Sequence, residues 1–160
     1  MLSYILAIIS GIALLVFDQV SKYIVVKTMP LGSSSEFLPG IIDFWHVHNK
    51  GGAWGFLSGY TWILLSITII VMLICIALLL KHGIKNKLLF WAITLVLSGG
   101  IGNMIDRIFN GGSVVDFIHL DFMDFPVFNI ADCAIVIGAG LLVLYFVMDI
   151  IKERKNHERN

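Results

Sequence analysis

Residues Tyr60–Leu80 read YTWILLSITIIVMLICIALLL, a stretch with no charged side chain. At about 1.5 Å of rise per residue, a helix of this length crosses the roughly 30 Å hydrocarbon core of a bilayer. Three further apolar stretches flank it: Leu2 to Phe17, Leu88 to Ile105 and Ile130 to Ile151. The whole chain of 160 residues is 58% hydrophobic and 14% charged, with a mean hydropathy of +0.92. That is too apolar for a water-soluble domain of this size. The expectation is a membrane α-helical protein with four transmembrane helices, a single domain over residues 1–160. Its spans fall at about 2–26, 60–80, 88–105 and 130–151, and its external segments at about 27–59 and 106–129.

The first run is short, and must extend past Asp18 through Gln19, Val20, Ser21, Lys22 and Tyr23, which keep a helix-compatible pattern. Asp18 and Lys22 then stand at i and i+4, where each offsets the burial of the other. No Lys or Arg precedes this run and no small-x-small cleavage site follows it, so it reads as a retained anchor rather than a signal peptide.

Orientation follows from basic residues in short loops. Lys81, Lys85 and Lys87 join the second and third runs, and Lys152, Arg154, Lys155 and Arg159 form the tail, so both regions and both termini are expected in the cytoplasm. The segment after the third run carries Arg107 against Asp106, Asp116, Asp121 and Asp124, and is expected outside. Lys22, Lys27 and Lys50 of the first loop run against this count. The net charge is zero, leaving no basic face for nucleic acid. Cys75 lies mid-span and Cys133 at a span start, which argues against a disulfide framework.

Outside the spans, Pro30, Gly32, Ser33, Ser34, Ser35, Pro39 and Gly40 mark turns, and Ile41 to His48 is β-branched and aromatic enough for a strand. Gly51-Gly52 supplies a turn after which Ala53 to Leu57 is expected to return as a second strand, giving a small external β-sheet. Asn110-Gly111-Gly112 opens an external loop that folds back over the membrane and the site. Trp45, Trp54, Phe56, Tyr60 and Trp62 suit the headgroup region.

Candidate chemistry gathers in three places. Asp116, in Val114-Val115-Asp116-Phe117, and Asp132, in Phe128-Asn129-Ile130-Ala131-Asp132, flank the start of the last span. Asn129 as a cap with Asp132 in the first helical turn is the plain structural reading. The same positions allow two carboxyls to share a proton, one as general acid and the other as general base. The positive helix end favours an ionised Asp132 and leaves the proton to Asp116, although its assignment within such a pair is a microstate choice. The second place is Ser98-Gly99-Gly100-Ile101-Gly102-Asn103-Met104-Ile105-Asp106-Arg107, whose glycines permit close packing. Asn103 needs partners inside the bundle, and Arg107 can snorkel to headgroups, pair with Asp106, or orient a carboxylate or phosphate. The third is the turn Asn49 to Gly55. His46 and His48 share a strand face without a clear third ligand, so no metal site is expected. His119, Asp121 and Asp124 read as solvated loop residues, with His82 and His157 on the cytoplasmic side.

Together, Asp18-Gln19-Val20-Ser21-Lys22, Asn49-Lys50-Gly51-Gly52-Ala53-Trp54, Gly99 to Arg107, and the two aspartate motifs resemble bacterial lipoprotein signal peptidase, or signal peptidase II, over nearly the whole chain. The family motif commonly has Ala and Phe where this chain has Gly52 and Trp54. The resemblance implies a membrane aspartic endopeptidase that removes the signal peptide from diacylglyceryl-modified prolipoproteins, cleaving on the amino side of the lipid-bearing cysteine near the outer face of the bacterial cell membrane. It implies Asp116 and Asp132 as the catalytic dyad, Asn49, Asn103, Arg107 and Asn129 as substrate-binding residues, and Asp18, Lys22, Asp106 and Gly102 as supports. No cofactor or metal is called for; the implied partners are the prolipoprotein, membrane lipids and a peptide antibiotic inhibitor of the globomycin type, with the enzyme a monomer. The rival classes are a small proton- or ion-coupled transporter, whose inverted repeats are not evident here, and a non-catalytic lipid-binding membrane protein.

Overall fold

The computed structural model describes residues 1–82 and 86–157. Lys85 and Arg159 lie outside the described residues, as do the side chains of His82 and His157. Among the described residues, four helices are long and apolar enough to cross a membrane: α1 (Leu2–Thr28), α2 (Thr61–His82), α3 (Lys87–Phe109) and α4 (Ile130–His157). Three strands, β1 (Ser34–Leu38), β2 (Ile42–Asn49) and β3 (Val114–Leu120), form one antiparallel sheet in the order β1-β2-β3.

α3 is the most enclosed helix, and its small residues explain why. A Cβ on Gly99 would collide with the Ala131 carbonyl and approach Ile135 of α4, and one on Gly138 of α4 would lie 2.8 Å from the Ala92 carbonyl. A Cβ on Gly11 of α1 would come within 2.6 Å of Thr94. Without a hydrophobic drive between helices in lipid, such close backbone approach supplies dispersion contact along the seam. Trp91 Nε1 donates to Ser3 Oγ at 3.2 Å, and Gln19 Nε2 reaches Asp106 at 3.2 Å, so α1 runs alongside α3 in the same direction. A core of Cys75, Leu89, Ile93, Val96 and Tyr145 joins α2, α3 and α4. The outer faces of α1, α2 and α4 expose Ile, Leu, Val and Phe, as contact with acyl chains requires.

Two sequence expectations need correction in the sheet. Ala53 to Leu57 does not return as a strand: Trp54 and Leu57 take left-handed backbone angles (φ 53° and 58°), and the Gly52 N–H donates to the Phe56 carbonyl at 2.7 Å, closing a tight turn. The partners of β2 come instead from Ser34–Leu38, expected as turn, and from Val114–Leu120, expected within a loop. β1 is exposed throughout, so no buried face marks it in the sequence, and it joins β2 through backbone pairing and the stacking of Phe37 on Phe44 at 4.8 Å. β3 does alternate. Val115 and Phe117 pack with Val25 of α1, while Val114 and Asp116 face a cavity. A bulge in β2 between Phe44 and Val47 shifts the register so that Val47 pairs with Asp116 and Asn49 with Val114.

Gly99→Ala is expected to lower the thermal midpoint in detergent by the equivalent of about 1–3 kcal/mol, because a carbonyl cannot yield as a side chain can. Gly140→Ala, at a position with nothing within 4 Å of the added Cβ, leaves the midpoint unchanged or raises it.

Candidate active site

A lysine ammonium in a bundle interior must find acceptors for its charge and its three N–H bonds. Lys22 Nζ lies 2.9 Å from Asp18 Oδ2 and 3.0 Å from Asp106 Oδ2, and donates to Asn103 Oδ1 at 3.0 Å. All four residues are buried. The pairing of Asp18 with Lys22 is therefore only half of the arrangement, and Asp106 serves Lys22 rather than Arg107. Each aspartate also accepts a backbone N–H from another element. Asp18 Oδ1 accepts the Ala131 N–H at 2.9 Å, at the start of α4, and Asp106 Oδ2 also accepts the Val115 N–H of β3 at 3.1 Å. Gly102 leaves room for this, since a Cβ there would sit 2.8 Å from Asp18 Oδ2. Gln19 was quoted within its motif but assigned no role; its Nε2 is directed at Asp18, at Asp106 and at the Gly102 carbonyl. A polar side chain beside Asp18 inside an apolar span was the available signal.

Asn129 caps α4 as expected, and reciprocally: its Oδ1 accepts the Asp132 N–H at 3.0 Å while its own N–H donates to Asp132 Oδ2 at 3.2 Å. With Oδ1 engaged, its Nδ2 faces Asp116 Oδ1 at 2.6 Å and Asn103 Oδ1 at 3.1 Å. Asn103 Nδ2 in turn donates to Asp132 Oδ1 at 2.7 Å. Asn49, at the end of β2, accepts the Gly51 N–H on Oδ1 and donates through Nδ2 to Asp116 Oδ2 at 2.9 Å. Backbone pairing of Phe128 with Ile118 holds the α4 start against β3. Asp116 thus stands on a strand, not on the expected loop.

Asp116 and Asp132 line one cavity of about 480 Å³ together with Asn49, Asn103 and Arg107. Its other walls are apolar, including Phe125, Ile135, Val136 and Ile137. Arg107 Nη2 donates to the Gly51 carbonyl at 3.1 Å, bracing the turn after β2, while its buried Nε has no partner among the described residues. Burial, and next the charge of Asp132, push the Asp116 carboxyl up to about 7 against the lowering effect of Asn49, Asn129 and Lys22. Such a pair can hold one proton between two carboxyls near neutral pH, the condition for acid and base to act side by side.

The remaining candidates separate from this site. His46 and His48 stack edge to face at 5.2 Å, and His46 Nδ1 meets the Met29 carbonyl at 2.8 Å, fastening the end of α1 to the sheet. Asp43, His119 and Asp121 bring ligand atoms within 4.8 Å of one another at the far end of the sheet, a grouping that exposed acidic residues often form without an ion. Asp124 is exposed, as expected for a solvated residue. Cys133 lines the cavity, and both it and Cys75 are free thiols.

The family model described as signal peptidase (SPase) II matches residues 10–148. The chain belongs to the signal peptidase II family. It is similar to a lipoprotein signal peptidase of Enterococcus faecalis, with 42% identity over 147 residues, covering 90% of this chain and 91% of that protein. A lipoprotein signal peptidase of Staphylococcus haemolyticus is 36% identical over 155 residues, covering 96% and 95% respectively. Among solved structures, a bacterial membrane enzyme aligns with a TM-score of 0.85 at 38% identity, over 90% of this chain and 88% of that one. As a signal peptidase II, the protein is a multi-pass membrane peptidase, a hydrolase.

Lys22→Met is expected to destabilise the protein by about 3–5 kcal/mol, since Asp18 and Asp106 would remain buried without a cation. Thermal unfolding in detergent measures this. Adding Asp106→Asn to Lys22→Met should restore part of the loss, and a double variant no more stable than Lys22→Met would show that repulsion between the two aspartates is not its cause.

Proposed function

We propose that this signal peptidase II is an aspartic endopeptidase that removes the signal peptide from diacylglyceryl-modified prolipoproteins, cleaving on the amino side of the lipid-modified cysteine. The observation that carries this reading is Asn129, whose side-chain NH₂ donates to Asp116 while its side-chain oxygen and backbone N–H engage Asp132, both aspartates lining one largely apolar cavity. Asp116 and Asp132 are the catalytic pair in this reading, with Asn49, Asn103, Arg107 and Asn129 orienting them and the substrate, and Asp18, Lys22, Asp106 and Gly102 in support.

In the mechanism, Asp132 begins ionised and Asp116 protonated. Asp132 takes a proton from water as the oxygen attacks the scissile carbonyl carbon, and Asp116 gives its proton to the carbonyl oxygen, producing a neutral gem-diol. Asp132 then protonates the leaving nitrogen and Asp116 recovers a proton from the diol as the C–N bond breaks. The pair returns to its starting state, with no covalent intermediate. The cavity beside Asn49 takes an extended peptide, and the wall of Ile135, Val136 and Ile137 on α4 suits acyl chains and the signal-peptide helix, which enter laterally from lipid.

The same reading puts both termini in the cytoplasm and the sheet, the turn after β2 and the catalytic pair near the outer face. Lys81, Lys87, Lys152, Arg154 and Lys155 stand at helix ends remote from the sheet, while exposed Trp54, Phe56 and Trp62 lie near it. The protein acts as a single-domain monomer among membrane lipids, and a peptide antibiotic of the globomycin type occupies the substrate cavity.

Purified protein in detergent should cleave a diacylglyceryl-modified prolipoprotein, and folded Asp116→Asn and Asp132→Asn should each lose at least about 100-fold. Persistent cleavage by either folded variant would sink the dyad. Because Asp116 titrates at about 7, its proton is present below that pH, and kcat/KM should fall by about tenfold per pH unit above it. The sign for stability is the same: a raised carboxyl pKa means the folded state holds a proton the unfolded chain has released. Stability should therefore decline between about pH 4 and pH 7, a slope that Asp116→Asn removes.

A further inference from the structure

A second cavity, of about 410 Å³, opens on the other side of Asp116. Asn49, Asp116, Pro126 and Val127 line both cavities, so the Asp116 carboxyl sits on the boundary between them. Their remaining walls differ in kind. The first is closed by Ile135, Val136 and Ile137 of the α4 span, whereas the second is closed by His48, Lys50, Trp54 and Ser58 around the turn after β2. A prolipoprotein has the same division of character about its cleavage point. The signal peptide and the diacylglyceryl group belong in lipid, and the residues that follow the modified cysteine belong in water.

Resting on the peptidase function proposed above, we propose that the second cavity is the subsite for the residues that follow the lipid-modified cysteine, and that Lys50 there favours acidic over basic side chains. Lys50 is exposed and forms no ion pair among the described residues. Its position is held from below, since its carbonyl accepts the Gly59 N–H at 3.3 Å and the neighbouring Asn49 is fixed to Asp116. Partial burial, and next the charge of His46, lower the His48 pKa from its ordinary value, which disfavours a charge on that ring. The lining includes no acidic residue but Asp116, whose charge is partly quenched near neutrality. The Lys50 ammonium is therefore the dominant fixed charge that the departing chain meets.

The test compares two diacylglyceryl-modified prolipoproteins identical except at the second and third residues after the modified cysteine, which are Asp in one and Lys in the other. The ratio of their kcat/KM values is measured for wild type, Lys50→Glu and Lys50→Ala; a ratio within one preparation cancels differences in the amount of folded enzyme. Wild type is expected to prefer the Asp substrate by about threefold at low salt, a preference that shrinks as salt rises. Lys50→Glu inverts the preference and Lys50→Ala brings it near unity; the latter keeps the test decisive when the reversed charge impairs folding. A wild-type ratio of one, or a ratio that neither substitution moves, overturns the subsite while leaving the peptidase standing. A wild type that cleaves neither substrate overturns the peptidase function, and the subsite with it.

Discussion

The Lys22 ammonium is the interaction from which the rest of the architecture follows. A cation removed from water is tolerated only where fixed acceptors replace its hydration, and here they come from α1 and α3 together. Each aspartate that holds it spends a further hydrogen bond on a backbone N–H elsewhere, Asp18 on Ala131 of α4 and Asp106 on Val115 of β3. One buried charge thereby sets the positions of three helices and a strand. Its small neighbours are part of the same constraint, because Gly99 and Gly102 let α4 and Asp18 come near enough for these bonds to form.

From this anchor the orientation of each amide around the carboxyl pair is determined in turn. Lys22 and Asn129 both donate to the Asn103 oxygen, so its NH₂ turns to Asp132. The Asp132 N–H occupies the Asn129 oxygen, so that NH₂ turns to Asp116, and the Gly51 N–H does the same for Asn49. Amides whose oxygens are already engaged cannot flip, and in a low-dielectric cavity their dipoles act on the carboxyls without reorganisation. The site is polar only along this chain of contacts. Beyond it the walls are hydrocarbon, which is what pushes the Asp116 carboxyl toward neutrality.

The sheet serves the same end by a different means. β3 presents alternate residues to opposite sides, so that Val115 and Phe117 bury against α1 while Asp116 faces the cavity, and the β2 bulge sets the register that brings Asn49 beside it. The left-handed Trp54 and the closed turn around it keep the Gly51 carbonyl within reach of Arg107. A strand, a turn and a helix end thus converge on one carboxylate from outside the bundle.

Hydropathy is a local property, and the four helices were legible because about twenty consecutive apolar residues have few alternatives in water. Local spacing also revealed the cap at Asn129 and the Asp18–Lys22 pair, each spanning a single helical turn, and the ordered motifs named the family that the comparisons bear out. What the chain did not disclose is non-local. Lys22 meets Asn103 across 81 positions, and Asp18 meets Ala131 across 113. β1 joins the sheet with no buried face to mark it, because an exposed edge strand pairs mainly through backbone groups that every residue carries. The bilayer's demand for apolar length is written in the sequence, whereas the meeting of Asp116 and Asp132 at one cavity comes from packing, since only tertiary structure can bring a strand and a helix end to the same buried amide.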